Sequence, residues 1–417
     1  MPKEQFLLGC VLVVRANSVA TVIMYLMESY QFLKLLNRAL EFRTAGTLPA
    51  VNLLSGGITM RNKLKVGILG GTGMVGQRFV TMLENHPWFE VVAIGASERS
   101  AGLPYEKAVE GRWKLDLPMP EGVKGIMVKN AVAVDQFADE VDMVFCAVDM
   151  KKEEIRELEE KYAKAEIPVI SNNSAHRFTN DVPMIIPEIN PEHTAIIEAQ
   201  RKRLGTKRGF IAVKSNCSLQ SYVPPVHALM HFSPDRVLAS TYQAISGAGK
   251  TFKEWPDILD NVIPYIGGEE EKSEMEPLKI WGTIEGNRIV PAGGPLISAQ
   301  CYRVPVIDGH MAAVYISFKN KPGRDEILNS WDEFKGKPQL LKLPSAPSKF
   351  LTYFDQPDRP QSRLDRNLEN GMGIAIGRLR EDTLFDYKFT CLSHNTIRGA
   401  AGGGVLMAEL LKAEGWL

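Results

Sequence analysis

An α/β fold, with a doubly wound parallel sheet in its first domain and a mixed sheet in a second, α+β domain, is what this chain predicts. Three observations carry that reading. Lys65-Val66-Gly67-Ile68-Leu69 has the unbroken apolar character of a strand buried on both faces, and it runs directly into Gly70-Gly71-Thr72-Gly73-Met74-Val75-Gly76. Strand-like and helix-like stretches then alternate as far as Val213. Beyond Cys217 the chain changes character, and Met311 to Phe318 shows the alternation of a half-buried strand.

The first element carries the first chemistry. Gly71, Gly73 and Gly76 fit G-x-G-x-x-G, and Gly70, Gly73 and Gly76 fit a looser spacing. Gln77 to Leu83 continues as a helix with apolar Phe79, Val80, Met82 and Leu83. Strand, glycine turn and helix in that order are the context in which this weak pattern marks a Rossmann-type dinucleotide site. Glycine lets the backbone approach a pyrophosphate, and the helix N-terminus meets it with free N–H groups. A second strand, Glu90 to Gly95, ends at Ala96-Ser97-Glu98-Arg99-Ser100. That is about 20 residues past the last glycine, where the ribose is read. Ser97, Arg99 and Ser100 offer hydroxyls and a guanidinium, which suit a 2′-phosphate. Glu98 is the dissenting residue, and the expectation is NADP over NAD.

Val141 to Val148 and Pro168 to Ile170 read as further strands, with a charged helix from Lys151 to Ala165 between them. Ser171 to Arg177 is then a polar loop at a strand's C-terminal end, where open α/β sheets bind ligands. Arg177 reads either as an anion ligand or as a solvated loop arginine. Phe210 to Val213 leads into Lys214-Ser215-Asn216-Cys217-Ser218, and a helical stretch from Leu219 to Met230 follows. A cysteine at a strand-to-helix turn is placed for chemistry, because the helix N-terminus favours thiolate over thiol. Most cysteines are merely small core residues. Pro224-Pro225 is expected to kink or delay this helix and weaken its dipole.

In the second domain, Thr241 to Ile245 reads as a strand and Ser246-Gly247-Ala248-Gly249 as a loop that a ligand can approach. Gly267 to Lys272 is an acidic cluster with one base, by itself a solvated face. Arg303 and His310 bracket one loop, pairing a carboxylate-binding fork with a titrating base. The proline- and charge-rich stretch from Lys335 to Arg366 reads as a surface excursion. Small residues between Asn395 and Gly404 allow close packing before a last helix, Val405 to Leu411.

Composition narrows the class. The 417 residues suffice for two domains with a large core. Lys+Arg and Asp+Glu are both 49, so nothing points to nucleic acid or an anionic surface as partner. The five cysteines, Cys10, Cys146, Cys217, Cys301 and Cys391, show no metal-ligand spacing and suit a reducing compartment. Residues 1–59 are the odd segment. Phe6 to Met27 is apolar but broken by Arg15 and Asn17, which argues against a spanning helix, and no clean signal-cleavage site follows. A transit peptide stays open, but the favoured reading takes Met60 as the functional start. N-terminal sequencing of the native protein checks it; a mature chain starting well upstream of Met60 rules it out.

Several motifs together resemble aspartate-semialdehyde dehydrogenase of the archaeal and fungal type: the Gly70–Gln77 turn, Ser215 to Ser218, Gln243 to Gly249, Gly268 to Lys272, Arg303 to His310 and Asn395 to Gly402. Val182 to His193 is similar too, and the resemblance runs from about Lys65 to the C-terminus. It implies an NADP- and phosphate-dependent, reversible conversion of L-aspartate 4-semialdehyde to L-4-aspartyl phosphate, in lysine, threonine and methionine biosynthesis. Cys217 would be the nucleophile, His310 the acid/base and Gln243 an orienting group. Arg303 would bind the substrate carboxylate and Glu271 its amino group, with Asn216 alongside; Asn172, Arg177 and Lys272 would hold phosphate. Gly70, Thr72, Gly73, Met74, Val75, Ser97, Arg99, Ser100, Ser246, Gly247, Ala248, Gly249 and Asn395 would line NADP. No metal is implied. The resemblance also implies residues 60–214 as nucleotide domain, 215–392 as catalytic and dimerisation domain, and 393–417 as a helix returning to the first. A cytoplasmic dimer or tetramer is expected. Ser218-Leu219-Gln220-Ser221 and Met311-Ala312-Ala313 depart from the family pattern, so substrate identity is more open than reaction class. Malonyl-CoA reductase is the nearest rival, N-acetyl-glutamyl-phosphate reductase a more distant one, and a nucleotide-binding regulator without catalysis the alternative of another class.

Overall fold

The computed structural model describes residues 63–417, which form one compact unit with two large sheets and a small two-stranded one. The readings of residues 1–59 lie outside the described residues. The first sheet contains β1 (Leu64–Leu69), β2 (Phe89–Ala96), β3 (Lys129–Asn130), β4 (Met143–Cys146), β5 (Val169–Ser171), β6 (Met184–Ile185) and β7 (Ile211–Lys214). Its order is β3-β2-β1-β4-β5-β7-β6, and every pairing is parallel. The order reverses direction between β1 and β4, the switch point at which such sheets bind ligands. Helices α1 (Met74–Met82), α2 (Lys152–Lys164) and α3 (Ile197–Leu204) belong to this half. Both faces are covered, so the strands carry apolar residues throughout: Val66, Ile68, Leu69, Val144 and Phe145 are fully buried. Phe79 of α1 stacks on Phe145 of β4 at 4.5 Å and ties helix to sheet.

After β7 the chain forms α4 (Leu219–His227) and enters the second sheet. That sheet contains β8 (Pro234–Gln243), β11 (Leu296–Arg303), β12 (His310–Phe318), β13 (Leu351–Phe354), β14 (Ile374–Glu381) and β15 (Tyr387–Ser393), in the order β11-β8-β12-β15-β14-β13. It is mixed: β11/β8 and β13/β14 are parallel, and the other pairs antiparallel. Helix α5 (Glu269–Ile280) packs on β11, and a hairpin of β9 (Thr283–Glu285) and β10 (Arg288–Val290) follows it. Helix α6 (Arg324–Glu333) lies against β13.

The last helix, α7 (Gly402–Ala413), is buried around its whole circumference from Gly402 to Leu411 and packs on β5, β7 and α1. Apart from Glu409, which meets His86 at 2.9 Å, this buried stretch is apolar, as befits a helix in a core. A single π-turn, Ile397–Ala401, precedes it. Within that turn Arg398 is fully buried and makes a bidentate pair with Glu188 at 2.8 and 2.6 Å. Removing one partner of so buried a pair costs about 3–5 kcal/mol, since the other charge is stranded.

Four local expectations are corrected. The strand read at Thr241 to Ile245 starts at Pro234 and stops at Gln243. Val141 to Val148 forms a strand only over Met143–Cys146. The stretch from Lys335 to Arg366 is no mere excursion: Phe350 and Leu351 are buried, and β13 is the sheet's edge strand. Proline and charge reflect the turns around that strand. Finally, Pro224-Pro225 does not delay α4, which stops at His227 and not at Met230. The helix starts at Leu219 and carries both prolines in its second turn, with Trp331 Nε1 donating to the Pro225 carbonyl at 2.9 Å.

Candidate active site

Three strand ends meet the turn after β7. Parallel pairing of β8 with β11 sets Gln243 opposite Arg303, so both strands finish at one edge. β12 runs antiparallel to β8 and therefore begins there, with His310. From the first sheet, Lys214 ends β7 and hands the chain to Ser215-Asn216-Cys217 just before α4. A cavity of about 280 Å³ lies at this junction, lined by Asn172, Arg177, Asn216, Cys217, Glu269 and Lys272 among others. Ser246, Gly247, Asn395 and Val75 complete the wall toward the glycine turn.

The predicted catalytic residues are brought together. His310 is fully buried, and its Nδ1 accepts the Ala244 N–H at 3.0 Å. Its Nε2 is buried without a partner. A Cβ on Gly247 would stand 2.9 Å from both His310 Nε2 and Arg303 Nη1, so glycine keeps open the space those two atoms face. Burial, then the charges of Arg303 and His394, hold the imidazole pKa well below its ordinary value, so the ring is neutral at neutral pH. Arg303 donates from Nη1 to the Ala244 carbonyl at 2.7 Å. Gln243 Nε2 donates to Glu269 at 3.2 Å. Asn395 ties the walls together: its Nδ2 donates to Ser246 Oγ and its Oδ1 accepts the Gly309 N–H, both at 2.8 Å.

Cys217 differs from the expectation that its turn alone favours the thiolate. Burial pushes its thiol pKa up, and Glu269 adds to that, while Lys214, Arg177 and Arg303 pull it down. The net direction is upward in the free protein. The helix N-terminus is in place, but desolvation outweighs it.

The acidic cluster is also corrected. Gly267 to Lys272 is not a solvated face but the start of α5. Glu271 is exposed, whereas Glu269 is buried and lines the cavity. Residues two apart on a helix point to different sides, while i and i+3 share one. Glu269 and Lys272 therefore pair, at 2.8 Å, and Glu271 turns away. Glu269 also accepts from Asn216 Nδ2 at 2.9 Å. Burial alone would raise its pKa, but Lys272, Asn216 and Gln243 overcome that and hold it ionised. The carboxylate that lines the cavity is thus Glu269, and its i,i+3 spacing to Lys272 is the signal for it in the sequence.

Beside it, Arg177 is no solvated loop residue. It is 6% exposed, and donates to Glu276 at 2.8 Å and to the Lys214 and Asn172 carbonyls. Asn172 Nδ2 is buried, unpartnered and on the cavity wall, a donor set for an acceptor-rich ligand. Asn216 is fully engaged: its N–H donates to Glu276 at 2.7 Å, and its Oδ1 accepts from Ser218.

A larger cleft of about 940 Å³ adjoins this cavity and shares Val75, Ser246 and Gly247 with it. Thr72, Gly73, Met74 and Val75 form one wall, and Ser246, Gly247, Ala248 and Gly249 face them. It lies at the glycine turn, where sheets of this kind bind a dinucleotide. Gly70 has φ of 82°, and a Cβ there would lie 2.3 Å from the Ala147 carbonyl, so only glycine permits this turn. Gly73 caps α1 with no side chain over its N-terminus, leaving first-turn amides for an anion. Ser97 and Arg99 are exposed just past β2, and Ser100 is buried. Arg112 and Lys114, overlooked in the sequence, line the cleft; Arg112 Nη2 reaches Ser100 Oγ at 3.4 Å, and Lys114 donates to the Gly249 carbonyl at 2.7 Å. No local pattern marked them, because their place depends on the long connection after β2. Among the described residues no cluster suits a metal ion.

Comparison with known proteins agrees with this geometry. Residues 65–197 match the family model for the NAD binding domain of semialdehyde dehydrogenase, and residues 224–398 match that for its dimerisation domain. The chain is 43% identical over 364 residues to aspartate-semialdehyde dehydrogenase of Aspergillus fumigatus, covering 85% of this chain and 99% of the relative. The enzyme of the same name from Methanothermobacter thermautotrophicus is 44% identical over 354 residues, covering 84% and 99%. Among solved structures, aspartate semialdehyde dehydrogenase with NADP from Candida albicans superposes with a TM-score of 0.77 at 40% identity, covering 85% of this chain and 100% of that one.

Proposed function

The chain belongs to the semialdehyde dehydrogenase family, and on that premise we infer that it is an NADP-dependent aspartate-semialdehyde dehydrogenase. It interconverts L-aspartate 4-semialdehyde and L-4-aspartyl phosphate through a cysteine thioester, in the biosynthesis of lysine, threonine and methionine. The observation that carries this reading is one cavity holding Cys217, the Glu269–Lys272 pair and the unpartnered Asn172 amide, with Arg303 and His310 at Gly247 and a dinucleotide cleft adjoining. NADP, bound between the glycine turn and Ser246 to Gly249, supplies the hydride acceptor or donor.

The residues divide the work. Cys217 attacks the aldehyde carbon as thiolate. Backbone N–H groups at the start of α4 meet the oxyanion. His310 holds or moves a proton at Nε2 in both half-reactions. Arg303 presents a fork to the substrate carboxylate. Glu269, not Glu271, faces the substrate amino group. Asn172, Arg177 and Lys272 receive phosphate, whose attack on the thioester releases the product and frees Cys217. The carboxylate and ammonium contacts favour an amino acid over malonyl-CoA.

The second domain is the family's dimerisation module, and its sheet leaves one face open. Tyr242 and Tyr302, directly paired across β8 and β11, stack at 5.7 Å there with Tyr242 38% exposed, and Leu296 is 69% exposed. That face suits a second copy, in a dimer or tetramer. We propose domain limits of 60–214, 215–392 and 393–417, with the last segment carrying α7 back onto the first sheet. No helix among the described residues is long and apolar enough to cross a membrane. Cys146, Cys217, Cys301 and Cys391 are free thiols, which suits the cytoplasm.

One assay tests the function: NADPH formation from aspartate semialdehyde should require phosphate and exceed malonyl-CoA-dependent NADPH oxidation. Comparable efficiency with NAD would remove the 2′-phosphate reading of Ser97, Arg99 and Ser100. A paired substitution tests the carboxylate. Glu269→Gln should lower kcat/KM by about 10- to 100-fold, the scale of one charged hydrogen bond, and Glu271→Gln should leave it near wild type. The reverse pattern would restore Glu271.

A further inference from the structure

The inward face of α5 carries charge where a packed helix ordinarily carries apolar side chains. Glu269, Lys272, Glu276 and Lys279 follow one another at i,i+3 and i,i+4 steps, so they share one side of the helix. Glu269 and Lys272 line the cavity. Glu276 and Lys279 lie further along and outside its wall, yet both are buried, Glu276 completely. Lys279 Nζ donates to the carbonyls of Arg177, Thr179 and Val182 at 2.7, 2.8 and 2.9 Å, which fixes the backbone of the Arg177 loop. Glu276 takes the other end of that residue. Its Oε1 accepts from Arg177 Nη1 at 2.8 Å, and its Oε2 accepts the Asn216 N–H at 2.7 Å. One carboxylate therefore spans the guanidinium and the residue next to Cys217.

Glu276 is the one carboxylate that Arg177 meets among the described residues. Arg177 Nε and Nη2 donate to the carbonyls of Lys214 at 3.0 Å and Asn172 at 3.3 Å. A guanidinium carries one N–H on Nε and two on each terminal nitrogen, so one N–H remains on Nη1 and one on Nη2 for an anion in the cavity. The nucleophile turn has further ties: Asn216 Nδ2 donates to Glu269, and Asn216 Oδ1 accepts from Ser218. Without Glu276 the turn stays anchored, while the guanidinium loses its counter-charge and its aim.

We propose that Glu276 is a positioning residue for the phosphate half of the reaction. It aims the Arg177 guanidinium and holds it in fixed register with the Cys217 turn, touching neither substrate nor cofactor. The inference rests on the reading of Arg177 as a phosphate ligand. Register matters because a phosphate oxygen must meet the thioester carbon, and a misplacement of about 1 Å costs about 10²-fold. Hydride transfer uses Cys217, His310 and Arg303 and does not use Arg177, so Glu276 serves one half-reaction and not the other.

Glu276→Gln keeps the shape of the side chain but offers one acceptor oxygen to two donors. In the full chain with NADP, kcat/KM for inorganic phosphate should fall about 10- to 100-fold, the scale of one charged hydrogen bond. The phosphate-free burst of NADPH and kcat/KM for aspartate semialdehyde should stay within about twofold of wild type, since both report the first half-reaction. In an Arg177→Met background the same substitution should change kcat/KM for phosphate by less than about twofold, because a group that acts through Arg177 then has nothing to act on. If Glu276→Gln does not fold, Glu276→Asp reads the same split: it keeps the charge but is too short to reach both donors. An unchanged kcat/KM for phosphate, equal losses in both half-reactions, or a full-sized effect in the Arg177→Met background overturns the proposal. Arg177→Met with an unmoved kcat/KM for phosphate would instead remove Arg177 from the phosphate site, the reading beneath it.

Discussion

Cys217→Ser is expected to lower turnover by several orders of magnitude while leaving NADP affinity and fold unchanged. The reason is the bond being made. Sulfur ionises far more readily than a hydroxyl and gives a thioester from which phosphate can displace it. Serine is nearly isosteric, so the loss would come from chemistry and not from packing against Gly399. Rapid-mixing kinetics are the sharper readout: wild-type enzyme without phosphate should release a burst of NADPH as thioester accumulates, and the variant none. Near-normal activity of the variant would end the mechanism.

His310→Asn should cost about 10²- to 10⁴-fold in kcat, the usual span for a positioned acid or base. Its pH behaviour is more telling than its size. Burial and Arg303 hold the ring neutral across the neutral range. The free enzyme should therefore show no histidine limb near pH 6.5, the unperturbed value. The Arg303 charge disfavours the imidazolium, so Arg303→Met should raise the His310 pKa. An NMR titration of His310 in the free protein checks that direction; a fall on removing Arg303 would contradict the electrostatic account.

The two halves of the site differ in how legible they are. The glycine turn is local: strand, turn and helix are consecutive, and Gly70 carries its backbone requirement in its own identity. Cys217 was equally visible, because Asn216, Cys217 and α4 are neighbours in the chain. The sequence points to Glu271 while Glu269 is the one that lines the cavity, because a run of three glutamates does not declare its helical phase until α5 is placed against β11. Arg112 and Lys114 went unnoticed for a similar reason, since nothing within a few residues of them signals the cleft they line.

By itself the sequence determined the class of fold, the dinucleotide turn and the cysteine proposed as nucleophile, since each rests on residues adjacent in the chain. The tertiary structure alone decided which carboxylate lines the cavity and which cations surround the sulfur. Gln243, Arg303 and His310 meet because β8 and β11 end together and β12 starts beside them. Lys214 lost its water because α7 closes over it at Gly403. Desolvation and long-range register are properties of the folded chain, and they set the ionisation on which the chemistry depends.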